Sequence, residues 1–210
     1  MHSFYPFHLA MHRNCIVRLV PLVGLVLALG SCDSPADPSP GRSDAELTFV
    51  RMAPDAPPLE TLDTAFWAVR GQEREVQIRY VDAVYGYGKC LRFVVPADAI
   101  PEGTAPGDSV RITVHVPDSG LFQFQFGPSG LRFDPDHPAR LEIRYTFASP
   151  DLNGDGAVDD ADTRLADGIA IWRRERSGEP WFRVETHRST NLVEASADIE
   201  GFTIFILASE

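Results

Sequence analysis

Apolar and polar residues alternate in short runs along most of the chain, and turn-forming residues separate these runs. At residues 122–126 the sequence is Phe-Gln-Phe-Gln-Phe, so the aromatic side chains share one face of an extended segment and the glutamines the other. Residues 111–116 alternate in the same way. Because successive side chains of a β-strand point to opposite faces, this period of two predicts strands that are buried on one side.

Eleven segments after residue 45 have this strand character, at residues 47–51, 66–69, 75–80, 91–95, 109–116, 122–126, 140–147, 169–174, 181–184, 192–199 and 203–207. Pro, Gly and Asp separate them at the spacing of a β-sandwich. A helical period is present only weakly, at residues 160–165. We therefore predict an all-β fold, an antiparallel β-sandwich over residues 45–210. Its core should contain or be lined by Phe126, Leu131, Phe133, Trp172 and Phe202.

The N-terminal residues have the pattern of an export signal. Arg13 and Arg18 precede an apolar run at residues 19–29, which is shorter than the roughly 20 residues that span a bilayer. The run ends in Leu-Gly-Ser-Cys at residues 29–32, which resembles the lipobox of bacterial lipoproteins. The resemblance implies a signal peptide at residues 1–31 and lipidation of Cys32. An ordinary secretory signal with an incidental cysteine is the alternative.

The segment after Cys32 is polar and rich in proline, and it has little apolar surface to bury. Residues 32–44 are therefore predicted to be a lipidated tether that links the membrane to the folded domain. The resemblance to the lipobox, together with this tether, implies an exported and anchored protein of the bacterial cell envelope. The periplasmic and the outer faces both remain open.

The charge of the chain limits its partners. The sequence has 30 acidic and 19 basic side chains, a formal net charge of −11, and Lys89 is its only lysine. Because nucleic-acid binding needs a basic face, the composition argues against a nucleic-acid partner. Cys90 lies in an apolar run and is expected to be a buried strand residue rather than a nucleophile.

Residues 151–162 read Asp-Leu-Asn-Gly-Asp-Gly-Ala-Val-Asp-Asp-Ala-Asp, which has the spacing of an EF-hand-type calcium loop. Glycine stands at loop position 6, where a sharp turn is required. Calcium prefers six to eight oxygen ligands, which alternate positions of such a loop bring together. The predicted Ca²⁺ ligands are the side chains of Asp151, Asn153, Asp155, Asp159 and Asp162, with Asp159 direct or through water, and the backbone carbonyl of Ala157.

Two further positions of this loop carry expectations. Position 12 is Asp162, whereas EF-hands usually carry a longer glutamate there. Val158 is expected to point away from the ion into apolar contact. The loop also resembles that of bacterial dockerin modules, but the resemblance covers only the loop, so it implies calcium and no cohesin partner. The alternative is a solvated acidic turn.

A second resemblance covers residues 75–208. Residues 126–133 (Phe-Gly-Pro-Ser-Gly-Leu-Arg-Phe) and 138–143 (Pro-Ala-Arg-Leu-Glu-Ile) resemble the signature of ZU5 domains, and residues 169–172 with 180–184 resemble their hairpin. This implies a β-sandwich that serves as a binding or mechanical module, here with the calcium loop inserted between two strands.

Some ZU5 domains cleave their own backbone at a His-Phe-Ser motif. The matching residues here are Gly201, Phe202 and Thr203. Gly201 has no group that could transfer a proton, and general-base assistance is worth ~10²–10⁴-fold in rate. We therefore expect no self-cleavage, with Phe202 in the core and Thr203 as a strand residue.

The sequence favours a non-catalytic, lipid-anchored envelope module that binds calcium structurally and mediates protein interaction or scaffolding. Its partner would be an unknown envelope or surface protein, and no catalytic residues are predicted. The alternative is an envelope hydrolase of unrecognised type. Two carboxylates that face each other across a cleft, away from residues 151–162, would favour the hydrolase.

Overall fold

The computed structural model describes residues 40–82, 86–104 and 109–210. The predicted signal peptide, Cys32 and most of the predicted tether lie outside the described residues. Within the described ranges, no helix combines the length and apolar character needed to cross a membrane.

Twelve strands, one α-helix and a short 3-10 helix at Asp44–Glu46 form the regular structure of the described part of the chain. In chain order the strands and the α-helix are β1 (Thr48–Phe49), β2 (Asp63–Val69), β3 (Arg74–Asp82), β4 (Gly86–Val95), β5 (Ser109–His115), β6 (Gln123–Gly127), β7 (Ala139–Arg144), α1 (Asp160–Gly168), β8 (Ala170–Arg174), β9 (Phe182–Arg183), β10 (His187–Ser189), β11 (Glu194–Ile199) and β12 (Ile204–Ser209).

Two antiparallel sheets pack as a sandwich, which confirms the predicted fold class. The seven-stranded sheet has the order β2-β5-β6-β12-β8-β9, with β1 paired to one end of β12. The five-stranded sheet has the order β10-β11-β7-β4-β3. Strand β10 was not predicted, and α1 is a true helix where the sequence has only a weak helical period.

The main core lies between the sheets and is rich in aromatic rings. The ring of Phe93 lies 4.9 Å from Phe126, 6.2 Å from Phe133 and 5.7 Å from Phe202, measured between centroids. These three partners and Leu131 are buried in this cluster, as predicted. Such tilted and edge-to-face pairs add to the stabilisation from burial alone.

Trp172, the fifth predicted core residue, is also buried but belongs to a second cluster. All six residues of β12 are buried, because the strand has apolar side chains on both faces. Phe205 and Leu207 pack in the main core. Ile204 and Ile206 belong with Trp172 to the second cluster. The seven-stranded sheet therefore needs a cover on its outer face at β12.

The N-terminal strap, defined here as residues 41–49, supplies that cover. Arg42 and Trp181 exchange two backbone hydrogen bonds of 2.8 and 2.7 Å. The Asp44 carboxylate accepts hydrogen bonds from Trp181 Nε1 at 2.6 Å and from Arg174 Nη1 at 3.1 Å. The Arg174 guanidinium lies 4.2 Å from the centroid of the Trp181 ring. Arg42 and Asp44 fall within the predicted tether, yet both contact the sandwich.

We expect Asp44→Ala to lower the free energy of unfolding by about 1–2 kcal/mol, because it leaves the nearly buried Arg174 and the Trp181 N–H without their acceptor. Urea denaturation followed by tryptophan fluorescence measures the loss. Asp55→Ala removes a carboxylate from an exposed turn and is the matched control. Equal stability of both variants would contradict this role of Asp44.

Candidate functional site

Residues 151–162 lie in the connection between β7 of one sheet and β8 of the other, and α1 begins within their last three residues. The connection is fixed before the loop, where the backbone N–H of Ser149 donates to the Arg51 carbonyl at 2.8 Å. Leu152 packs against the main core and is partly buried. After the loop, α1 contacts β12. The acidic loop is therefore anchored to the sandwich on both of its sides.

The backbone of the loop turns at two glycines. Gly154 has φ of 74° and Gly156 has φ of 89°, a left-handed conformation that residues with a Cβ rarely adopt. The Asp151 carboxylate accepts hydrogen bonds from both of their backbone N–H groups, at 2.7 and 2.9 Å. The first loop residue thus organises the turn, which is the local geometry the sequence pattern predicts.

Asn153 and Asp155 are exposed and turn toward the backbone of the loop. Asn153 Oδ1 accepts from the Asp155 N–H at 2.9 Å, and Asp155 Oδ1 accepts from the Ala157 N–H at 2.9 Å. The Asn153 amide also donates to Asp155 Oδ2 at 2.9 Å. Both side chains are therefore occupied with loop contacts but remain accessible to solvent.

Asp162 joins the start of the loop to the start of α1. Its Oδ2 accepts from the Asp159 N–H at 2.9 Å, and its Oδ1 accepts from the N–H groups of Leu152 and Asn153 at 2.7 and 3.2 Å. These N–H donors, that of Asp159 above all, outweigh desolvation and hold the pKa of Asp162 below its ordinary value. The last predicted ligand is thus a buried and charged carboxylate.

The remaining predicted positions lie at the solvent side. Asp159 is the N-cap of α1, and its Oδ1 accepts from the Ala161 N–H at 2.7 Å. Ala157 is exposed. Val158 is 65% exposed, so the prediction that it makes apolar contact is wrong. Leu152 provides the apolar contact of the loop instead, because residues 153–160 project into solvent.

In the described part of the chain, no group of three or more His, Cys, Asp or Glu side chains is arranged to hold a metal ion. The loop carboxylates are directed at backbone N–H groups rather than at one common point. The donor set nevertheless fits calcium chemically, since all donors are oxygens and a carboxylate oxygen that accepts one N–H keeps a further lone pair. Binding would require the exposed Asn153 and Asp155 side chains to turn toward the ion.

Gly201 occupies a position where the backbone of another segment approaches closely. A Cβ on Gly201 would lie 2.9 Å from the Leu131 carbonyl oxygen, which also accepts the Phe202 N–H at 3.1 Å. A histidine would therefore collide with this backbone. The buried Thr203 hydroxyl donates to the Arg174 carbonyl, which gives it a structural role. The absence of self-cleavage stays a prediction.

A cleft of about 270 Å³ lies beside Gly201 and is lined by charged side chains. Its carboxylates include Glu175, which is 2.7 Å from Arg173, and Asp198, which is 3.4 Å from Arg140. A hydrolytic acid–base pair needs two carboxyl groups whose environments separate their pKa values. Each of these two carboxylates forms an ion pair with an arginine, which gives it a structural role and does not identify an acid–base pair.

A charge network that was not predicted lies on the outer face of the five-stranded sheet. Lys89 Nζ lies 2.8 Å from Glu142 Oε2 and 2.8 Å from Glu194 Oε2, and Arg92 Nη1 lies 3.0 Å from Glu142 Oε1. The two carboxylates are nearly buried. They share one cation on a sheet face rather than facing each other across a cleft, so this pair also does not meet the criterion for the hydrolase.

Burial alone would raise the pKa of Glu142, but the hydrogen bonds and charges of Lys89 and Arg92 outweigh it and hold the pKa below its ordinary value. The signal in the sequence is the presence of charged residues within two strand segments, Lys89 and Arg92 in β4 and Glu142 in β7. Which charges meet depends on the pairing of β4, β7 and β11.

Cys90 is a fully buried free thiol in β4, as predicted. Burial raises its pKa to about 12, although a hydrogen bond with Tyr80 acts in the opposite direction. The thiol is therefore protonated at neutral pH and unsuited to nucleophilic attack, which needs the thiolate.

Comparison of the chain with protein-family models, with curated proteins and with solved structures found no match. The resemblances to ZU5 domains and to dockerin loops therefore stay predictions that rest on the motifs at residues 126–143 and 151–162.

The Glu142 carboxylate should make stability depend on pH. Its pKa is lower in the folded chain than in the unfolded chain, so it stabilises the fold above the unfolded value of about 4.3 and loses this effect as the pH falls through the folded value. Glu142→Gln should lower the free energy of unfolding at neutral pH by about 1–3 kcal/mol, and the loss should shrink in acid.

Urea denaturation at neutral pH and at acid pH measures both effects. Glu60→Gln removes an exposed carboxylate and is the matched control. A Glu142→Gln loss of the same size at both pH values would contradict the assigned charge state.

Proposed function

We propose that this protein is a lipid-anchored, non-catalytic module of the bacterial cell envelope that binds calcium structurally and serves in interaction or scaffolding. The anchor is the proposed lipid on Cys32. The calcium site is the loop at residues 151–162. The fold is the described β-sandwich.

The loop geometry is the observation that carries the calcium part of this proposal. Asp151 organises a turn with two left-handed glycines, and α1 begins at loop position 10. Asp162 fixes the end of the loop to its beginning. The ligands would be the Asp151, Asn153, Asp155 and Asp162 side chains and the Ala157 carbonyl, with Asp159 direct or through water.

A bound cation would offset the mutual repulsion of these carboxylates and hold the loop closed. Because the loop is single and Asp162 is shorter than glutamate, we expect modest affinity, with a Kd of about 10⁻⁴–10⁻³ M. Calcium at ten times its Kd adds only about 1.4 kcal/mol of stability. Calcium would therefore act as a staple for one connection, and the sandwich should survive its removal.

The assignment as non-catalytic rests on what surrounds the candidate groups. Cys90 and Thr203 are buried, and Thr203 donates to a backbone carbonyl. The two nearly buried carboxylates Glu142 and Glu194 share Lys89. Each of these groups has a structural explanation, and a binding or scaffolding role requires no further chemistry.

Calcium binding is tested by titration calorimetry of the wild-type chain and of Asp155→Ala. We expect wild type to bind one calcium ion and the variant to give no binding heat, because it loses a central ligand. Asp118→Ala is the matched control, since Asp118 accepts the Gly120 N–H at 2.8 Å in a comparable exposed turn. No binding heat in wild type, or equal binding heat in Asp155→Ala, would contradict the assignment of a calcium site to this loop.

Lipidation is tested by mass spectrometry and detergent phase partitioning of the protein from a bacterial membrane. The mature chain should begin at Cys32, carry acyl mass on that residue and enter the detergent phase. Cys32→Ser should abolish processing at this site or release the protein as soluble material. A mature N-terminus elsewhere, with no acyl mass on Cys32, would refute the anchor.

A further inference from the structure

One half of the seven-stranded sheet has an outer face that differs from the strap-covered half. There, strands β2, β5 and β6 turn polar and small side chains outward, and their apolar side chains point into the main core. Trp67 is the large exception, and the partly buried Val69 follows it on the same face of β2. Trp67 is 58% exposed, whereas Trp172 and Trp181 are 2% and 0% exposed.

Strand pairing arranges the outward residues in three rows across the sheet. One row pairs Trp67 with Arg111. The middle row contains only small residues, with Thr113 opposite both Ala65 and Gly127. Because outward residues on one strand are about 6.8 Å apart, the third row lies about 13–14 Å from the first.

The third row is polar, with His115 opposite both Asp63 and Gln125. The three rows therefore form a shallow channel between taller side chains, which we call the transverse furrow. It runs across the strands toward β2, the last strand on this side of the sheet.

The third row is the polar wall of the furrow, and it offers both hydrogen-bond donors and acceptors. His115 Nδ1 lies 2.7 Å from Asp63 Oδ1, and this contact fixes the orientation of the imidazole. Gln125 is exposed and has an amide that can donate and accept. On the other wall, Arg111 adds a planar set of N–H donors beside the indole.

The charge and area of the furrow decide between classes of ligand. Arg111 and Asp63 balance each other, so the furrow lacks the positive charge that a phosphate polymer requires. Trp67 is its one large apolar side chain, and the apolar area of this side chain is far smaller than that of the centre of a stable protein interface. A neutral ligand with many hydroxyl groups and a flat C–H face fits both properties.

We propose that the transverse furrow binds a neutral polysaccharide. One sugar ring stacks on Trp67, where its C–H groups meet the negative face of the indole. Neighbouring hydroxyls exchange hydrogen bonds with Asp63, His115, Gln125 and Arg111. This names a class of partner beyond the proposed envelope role, and it depends on neither calcium nor the lipid anchor.

Affinity electrophoresis of the full chain in detergent tests the proposal. The chain has a net charge of −11 and migrates toward the anode, so a soluble polysaccharide in the gel reports binding as retardation. The probes are mixed-linkage β-glucan and galactomannan, both neutral, and alginate, which is anionic. We expect retardation by at least one neutral probe and little by alginate.

Trp67→Ala should weaken the retardation at least about tenfold, as expected for the loss of one stacked ring. Trp67→Phe should retain part of it, and both variants should fold because the side chain is exposed. Leu192→Ala removes an apolar side chain that is 50% exposed elsewhere on the surface, and it should bind like wild type.

Fluorescence gives a second readout, because Trp67 is the tryptophan that acrylamide can reach. A bound neutral polysaccharide should protect it from quenching. The proposal is overturned if neither neutral probe retards the protein, if Trp67→Ala binds like wild type, or if alginate binds better than both neutral probes. Chelation of calcium and Cys32→Ser should leave retardation unchanged, so failure here and failure of the proposed function are distinguishable.

Discussion

Strand β12 is apolar on both faces, and much of the architecture follows from keeping both faces out of water. The five-stranded sheet covers the face that carries Phe205 and Leu207. The strap covers the other face at Ile204 and Ile206, where the second cluster forms around Trp181. Asp44 is important to this cover because one carboxylate holds the Trp181 N–H and the Arg174 guanidinium together. The packing of the N-terminal strap and the packing of β12, the last strand, thus depend on each other.

The same sheet serves different purposes in its two halves. Where the strap lies, the outer face is apolar and closed. Where β2, β5 and β6 lie, it is polar and open, with Trp67 as the exposed aromatic residue. The acidic loop stands apart from both faces, in the crossing between the sheets. A ligand on the open face would therefore leave the strap and the loop undisturbed.

Local patterns in the sequence predicted the strands well and predicted their partners poorly. Alternation at residues 122–126 identifies β6 because the period of two is set by neighbouring residues. Helix α1 was indicated only weakly, by the helical period at residues 160–165, because it is short and mainly polar, and it is fixed by the contacts of Asp159 and Asp162. The meeting of Lys89 with Glu142 depends on strand pairing, which no local pattern encodes. For the candidate calcium loop, the motif predicted the turn but not where each carboxylate points.

The position of Lys89 has a consequence for the chemistry of the protein surface. It is the only lysine in the sequence, and its ammonium group is held between two carboxylates with little exposure. An amine that is held in two ion pairs and largely shielded from solvent is a poor nucleophile, so reagents that acylate lysine find almost no side chain to attack. The folded domain presents many guanidinium and carboxylate groups to its surroundings, so a cross-linker that targets carboxylates has far more sites than one that targets lysine.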